Sequence, residues 1–76
     1  MVVLHVSCPH FKTMECDDVI KVPQDFLPDL KTSDVGKPRN KPFASIRNLS
    51  DDDGARMLGR KMYFQHKRIF FQLWKP

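Results

Sequence analysis

The chain has no run of apolar residues approaching the ~20 needed to cross a bilayer as a helix, and this excludes a helical membrane span within its 76 residues. At the start, Met1-Val2-Val3-Leu4-His5-Val6-Ser7-Cys8 offers only a short apolar run with no basic segment ahead of it, so it does not read as a secretory signal. Two cysteines allow at most one internal disulfide, and a reducing compartment is the default reading for them. Glycine is scarce, and neither a phosphate-cradling P-loop nor a G-x-S-x-G nucleophile turn occurs. No internal repeat or low-complexity tract is present. These absences leave a small intracellular protein, cytoplasmic or mitochondrial, with no expected enzyme activity and no small-molecule substrate. Chains of this size bury only roughly 60% of their unfolded surface, and small folds often lean on disulfides, metals or partners.

What is present is an uneven charge. Residues 1–36 hold three lysines against six carboxylates, net −3, and residues 37–76 hold ten basic residues against three carboxylates, net +7. The stretch 54–76 carries six Lys/Arg and no carboxylate, with aromatic side chains between the charges. Such asymmetry points to nucleic acid, an anionic membrane surface or an acidic partner.

Val2–Val6 is β-branched and short, which predicts a strand. Val19-Ile20-Lys21-Val22 predicts a second, stopped by Pro23 because proline has no N–H for a ladder. Prolines at 23, 28, 38 and 42 then predict an extended segment to about Ala44 with few internal hydrogen bonds, anchored on another surface by Phe26, Leu27, Leu30 and Phe43. Ser50-Asp51-Asp52-Asp53 reads as a helix start: a Ser cap, with carboxylates where the helix dipole is positive. The helix is expected to run from about Asp51 to Lys67, with 69–74 as helix or strand. At 100° per residue Ala55, Leu58, Met62, Ile69 and Leu73 form its core stripe, and Met57, Phe64 and Phe71 form a second apolar line. The expected fold is thus a small α+β unit with little independent core: a short β element over 1–22, an extended Pro-spaced tether over 23–49, and a basic amphipathic helix over 50–76.

His5, Cys8, His10 and Cys16 place four potential zinc donors within twelve positions. Their spacing fits no standard finger or knuckle, so strand, loop and packing roles are expected for them and no metal or cofactor is assigned. A Cys8–Cys16 disulfide would require an oxidising compartment. Cys8 with His10 lacks the orienting group and oxyanion element that nucleophilic catalysis needs. Asp51-Asp52-Asp53-Gly54 fails as a calcium loop because Leu49 and Arg60 stand where acids are required, and helix capping accounts for the acids. Asn48-Leu49-Ser50 matches the glycosylation acceptor by chance.

The functional reading rests on cations and aromatics. Lysine and arginine neutralise phosphate, and aromatic faces stack on bases. Lys37, Arg39, Lys41, Arg56, Arg60, Lys61, Lys67 and Arg68 are the expected cationic contacts; Tyr63, Phe64, Phe71 and Trp74 are the expected stacking or packing ones. Lys37-Pro38-Arg39-Asn40-Lys41-Pro42 resembles in composition the basic, proline-rich tails of ribosomal proteins, a likeness that transfers no residue roles. The expected role is a non-catalytic structural subunit of a larger assembly, first a ribonucleoprotein. An accessory subunit of an organellar or membrane-bound complex, meeting acidic protein or headgroups, is the alternative. A small viral or phage-type inhibitor of a host enzyme is the third reading.

Overall fold

The computed structural model describes residues 1–74. Strand β1 (Val2–Ser7) leads through a 3-10 turn (Pro9–Thr13) into two short helical segments, α1 (Cys16–Val19) and α2 (Lys21–Gln24). A second 3-10 turn (Thr32–Asp34) precedes β2 (Val35–Gly36) and β3 (Phe43–Leu49). Helix α3 (Asp51–Leu58) and the hairpin β4 (Met62–Phe64) and β5 (Lys67–Leu73) complete the chain. The strands form one antiparallel sheet in the order β2-β3-β1-β5-β4. β1 runs antiparallel to both its neighbours, β3 and β5. The α1–α2 crossover therefore joins the parallel strands β1 and β2 with the antiparallel β3 between them, a split β-α-β arrangement. By contrast, α3 carries the chain from β3 to the far edge strand β4, which runs antiparallel to β3 and turns back into β5 beside β1.

Alternation along the strands sets the two faces. Leu4 and Val6 of β1, Ala44 and Ile46 of β3, Val35 of β2 and Ile69 of β5 are buried on one side. Phe11, Val19, Ile20, Leu30 and Met57 close over them from the helical layer. Thirteen apolar residues are buried in all among those described, and the Val, Leu, Ile, Phe and Met side chains among them each stabilise the fold by about 1.5–3 kcal/mol when fully buried. The radius of gyration is 11.1 Å, against roughly 11 Å for a compact chain of this length.

This architecture corrects the expected fold. The chain has its own core, and of the middle segment's large apolar residues Phe26, Leu27 and Leu30 belong to it, while Phe43 stands on the opposite face of the sheet. Leu30 is buried, and Phe26 and Leu27 pack against the core cluster. Val19–Val22 is helical rather than a strand, because Pro23 falls in the first turn of α2, where its missing N–H would have had no partner. The supposed tether supplies β2 and β3, and β3 pairs with β1.

The long C-terminal basic helix is absent. Ser50 does cap α3, its Oγ accepting from the Asp53 N–H at 3.1 Å. The helix stops at Leu58, with Gly59 as its C-cap. The buried positions of α3 are Gly54 and Met57, whereas Leu58 is exposed. Gly54 is needed for close approach: a Cβ there would stand 2.5 Å from Val2 Cγ2. The two apolar stripes inferred past Gly59 are a single face of the β4–β5 hairpin. Met62, Phe64, Ile69, Phe71 and Leu73 share the core side, alternating along β5 with Arg68, Phe70 and Gln72, and a helical projection splits them into two lines. Among the described residues no helix is long and apolar enough to cross a membrane.

Candidate functional site

The helices cover one face of the sheet and leave the other open. The ladder fixes what stands there. His5 is opposite Ser45 and Gln72, and Ser7 is opposite Phe43 and Phe70. Gly36 is opposite Ser45, and Tyr63 is opposite Arg68. Beyond β5 the Trp74 N–H continues the ladder to the Val3 carbonyl at 2.9 Å. Phe70 is 55% exposed, Tyr63 63% and Trp74 52%. Exposed aromatics that share a face are an uncommon use of costly apolar surface and mark contact sites.

At the β3 end of this face lies a depression of about 430 Å³ between Phe43, His5, Ser45, Arg47, Pro38 and Trp74. His5 and Phe43 form its floor, ring centroids 5.0 Å apart and tilted by 33°. Arg47 forms a wall, and a bulge positions it. The pairing of β1 with β3 slips between Val2 and Leu4, where Asn48 adopts φ 62°, so β3 carries the extra residue beside Arg47. Across the ladder, a Cβ at Gly36 would crowd Ser45 Oγ at 3.0 Å. Asn48 is held in turn, its Nδ2 donating to Asp34 Oδ1 at 2.8 Å while the Lys31 N–H donates to Asp34 Oδ2 at 3.2 Å. The Asn48 amide, with that backbone N–H, holds the Asp34 carboxyl below the usual carboxylate range. At the other end of the face the Arg68 guanidinium lies 5.0 Å from the Phe70 ring centre.

The electrostatics are one-sided. No strand carries an aspartate or glutamate, so the open face holds Arg47, Arg68 and His5 with no carboxylate among them.

The sequence-predicted cations are split among three places. Lys37, Arg39 and Lys41 occupy the loop between β2 and β3, of which Pro38 reaches the depression beside Arg47, while Lys37 and Arg39 line a separate one with Lys12 and Glu15. Lys61 and Lys67 are exposed beside β4, and Arg68 lies on the open face. Arg56 and Arg60 belong to the helical layer, where both guanidiniums stack on Phe26, at 5.6 and 4.2 Å from its ring centre. Arg56 also lies 3.6 Å from Asp53 in an exposed pair. Of the predicted aromatics, Tyr63 and Trp74 are on the open face. Phe64 and Phe71 are half-buried against the core.

The four candidate metal donors are dispersed. His5 is on the open face and Cys8 is buried. His10 Nε2 donates to the Gln65 carbonyl at 3.3 Å and its ring meets Phe64 edge-on, which ties the β4–β5 turn to the first 3-10 turn. The Cys16 thiol donates to the Val35 carbonyl at 3.3 Å, and burial, with Asp17 nearby, pushes its pKa up. The cysteines are not bonded to each other. Among the described residues no group of three or more His, Cys, Asp or Glu is placed to hold a metal ion.

Sequence reasoning missed Phe43, Arg47, Phe70 and His5 as surface-forming residues. The signal lay in Lys41-Pro42-Phe43-Ala44-Ser45-Ile46-Arg47, where a basic residue enters a period-2 run with Ala44 and Ile46 on one side and Phe43, Ser45 and Arg47 on the other. No protein-family model, curated protein or solved structure matches the chain.

Proposed function

We propose that the chain is a non-catalytic binding subunit of a ribonucleoprotein assembly, and that it takes single-stranded RNA on the open face of its sheet. One observation carries this reading: Phe43, Phe70, Tyr63 and Trp74 share an uncovered face with Arg47 and Arg68, and no carboxylate interrupts them. Single-stranded nucleic acid needs these two ingredients, flat π-faces for unpaired bases and cations for the backbone. RNA-recognition modules present aromatics on a four-stranded sheet in this way. The segment Lys41–Asn48 agrees with the strand pattern of such modules, K/R-G-F/Y-G/A-F-V-x-F/Y, at Lys41, Phe43 and Ala44, with Ile46 for valine. It departs at Pro42, Ser45 and Asn48. Fewer aromatics on β3 shift the stacking across β1 to Phe70 of β5 and to Trp74.

Lys37, Arg39 and Lys41 of the β2–β3 loop then meet phosphates at one end, with Lys61 at the other; Lys67, opposite Phe64 in the ladder, belongs to the helical side. Arg56 and Arg60, on the helical side, have no part in it. A role in RNA binding fits the cytoplasm or the mitochondrion.

Trp74 is the only tryptophan and reports directly. Single-stranded RNA added to the purified chain at low salt should quench its fluorescence, with an affinity that falls steeply as salt rises. An unchanged signal and no binding by anisotropy would reject the reading. If a native complex instead survives nuclease and loses the subunit on Trp74→Ala, an accessory subunit bound to protein through the same face replaces it.

A further inference from the structure

On the side of the molecule away from the open sheet face, a groove of about 620 Å³ runs between α1–α2 and the outer edge of β4. Met14, Val22, Met62 and Phe64 supply its apolar surface, and each is only partly buried against the core. Asp18 and Asp25 stand on its helical side, with Lys21 paired to Asp18 at 3.6 Å in an exposed contact. The groove therefore combines an apolar patch with the polar His10, Thr13 and Gln65, and its rim of two aspartates and one lysine is net negative.

The edge of β4 adds directional chemistry. β4 and β5 are joined by the two residues Gln65 and His66, both at positive φ, so Phe64 and Lys67, the pair that flanks the turn, exchange both hydrogen bonds. The next pair, Tyr63 and Arg68, does not, and the Tyr63 N–H and C=O point away from β5. β4 is the last strand of the sheet, and an unpaired strand edge is a template for another extended chain.

We infer that this groove binds a short extended peptide of a partner protein, which pairs with Tyr63 of β4, seats one apolar side chain between the methionines and Phe64, and brings basic side chains to Asp18 and Asp25. The spacing suits that occupant. Seven residues of helical chain place the two acids roughly 10 Å apart. Side chains two positions to either side of an anchor in an extended chain lie roughly 13 Å apart, a difference that flexible lysine stems absorb. Methionine adapts to anchors of differing shape. RNA is the wrong sign for this rim, so the two sides of the sheet take oppositely charged partners.

The test uses the full chain and labelled synthetic peptides with Leu, Ile, Phe or Trp at the centre and Lys at both positions two residues away. A second set carries Glu in place of Lys. At least one Lys peptide should bind by anisotropy at least tenfold tighter than its Glu counterpart, and methylation of the backbone N–H that meets Tyr63 should remove binding. Asp18→Lys with Asp25→Lys, both at exposed positions, should reverse the preference to the Glu set. Saturating single-stranded RNA should leave the peptide bound. The inference is overturned if no Lys peptide binds at up to about 1 mM, if the charge reversal changes nothing, or if RNA displaces the peptide. Competition by self-association of the chain would give the groove to a second copy and also overturn it. None of these outcomes depends on whether the opposite face binds RNA.

Discussion

Phe11 and Phe70 are the same residue in opposite circumstances. Phe11 enters from the first 3-10 turn and is fully buried under the sheet, whereas Phe70 projects from the other face and is 55% exposed. Their surroundings differ as sharply. All nine carboxylates lie off the strands, in the helical layer and the turns around it, while Arg47 and Arg68 share the open face with Phe70. The contrast shows that the two faces have separate duties: aromatics beneath the sheet hold it together, and aromatics above it remain available for contact.

The largest effect should come from emptying the buried side. Phe11→Ala is expected to destabilise the fold by about 3–5 kcal/mol, the usual range for a buried phenylalanine, measured by chemical denaturation. A loss below about 1 kcal/mol would mean that Phe11 is not a core residue. Phe70→Ala should behave in the reverse way. Stability should stay within about 0.5 kcal/mol, while affinity for single-stranded RNA falls by about 1–3 kcal/mol, the worth of one stacked base. Equal losses of stability and affinity would erase the distinction between the faces.

A smaller effect separates arginines by side. Arg47→Gln should lower the slope of log affinity against log salt by about one, as expected for a lost phosphate contact. Arg56→Gln should leave that slope unchanged, because its guanidinium rests on Phe26 in the helical layer. A drop for both would place RNA around the molecule instead of on one face. The smallest effect concerns the clamp behind Arg47. Hydrogen bonds hold the Asp34 pKa below its ordinary value, so its stabilisation is present above the ordinary carboxylate range and is lost as pH falls below it. Thermal melts should show Asp34→Asn slightly less stable than the parent at neutral pH, with the gap closing in acid. A gap that persists in acid would assign the defect to packing rather than to charge.

How much of this was legible in the sequence depended on distance along the chain. The Ser50 cap could be read because its partner, the Asp53 N–H, is three residues away. The strand at Val2–Val6 could be read from its β-branched side chains. The end of α3 could not, since Met62, Ile69 and Leu73 suit a helical stripe as well as a strand, and only pairing of β5 with β1 decides between them. The same non-local pairing turned a proline-spaced segment into β2 and β3. At the candidate site, the basic-aromatic composition of the last third was visible. Its division between two faces was not, because it follows from which residues stand opposite His5 and Ser7.

The place of β1 at the middle of the sheet has a consequence for how the protein comes into being. β1 is made before both of its neighbours, β3 and β5, which begin at Phe43 and Lys67. During synthesis, Val2–Ser7 must wait with both edges unpaired until these strands follow, and its second edge closes only with the latest of them. Pairings this distant close slowly and leave an apolar strand open to wrong partners meanwhile. Loss of β5 by truncation would therefore remove more than a binding surface: it would leave the central strand permanently half paired, and aggregation rather than weakened binding would be the expected result.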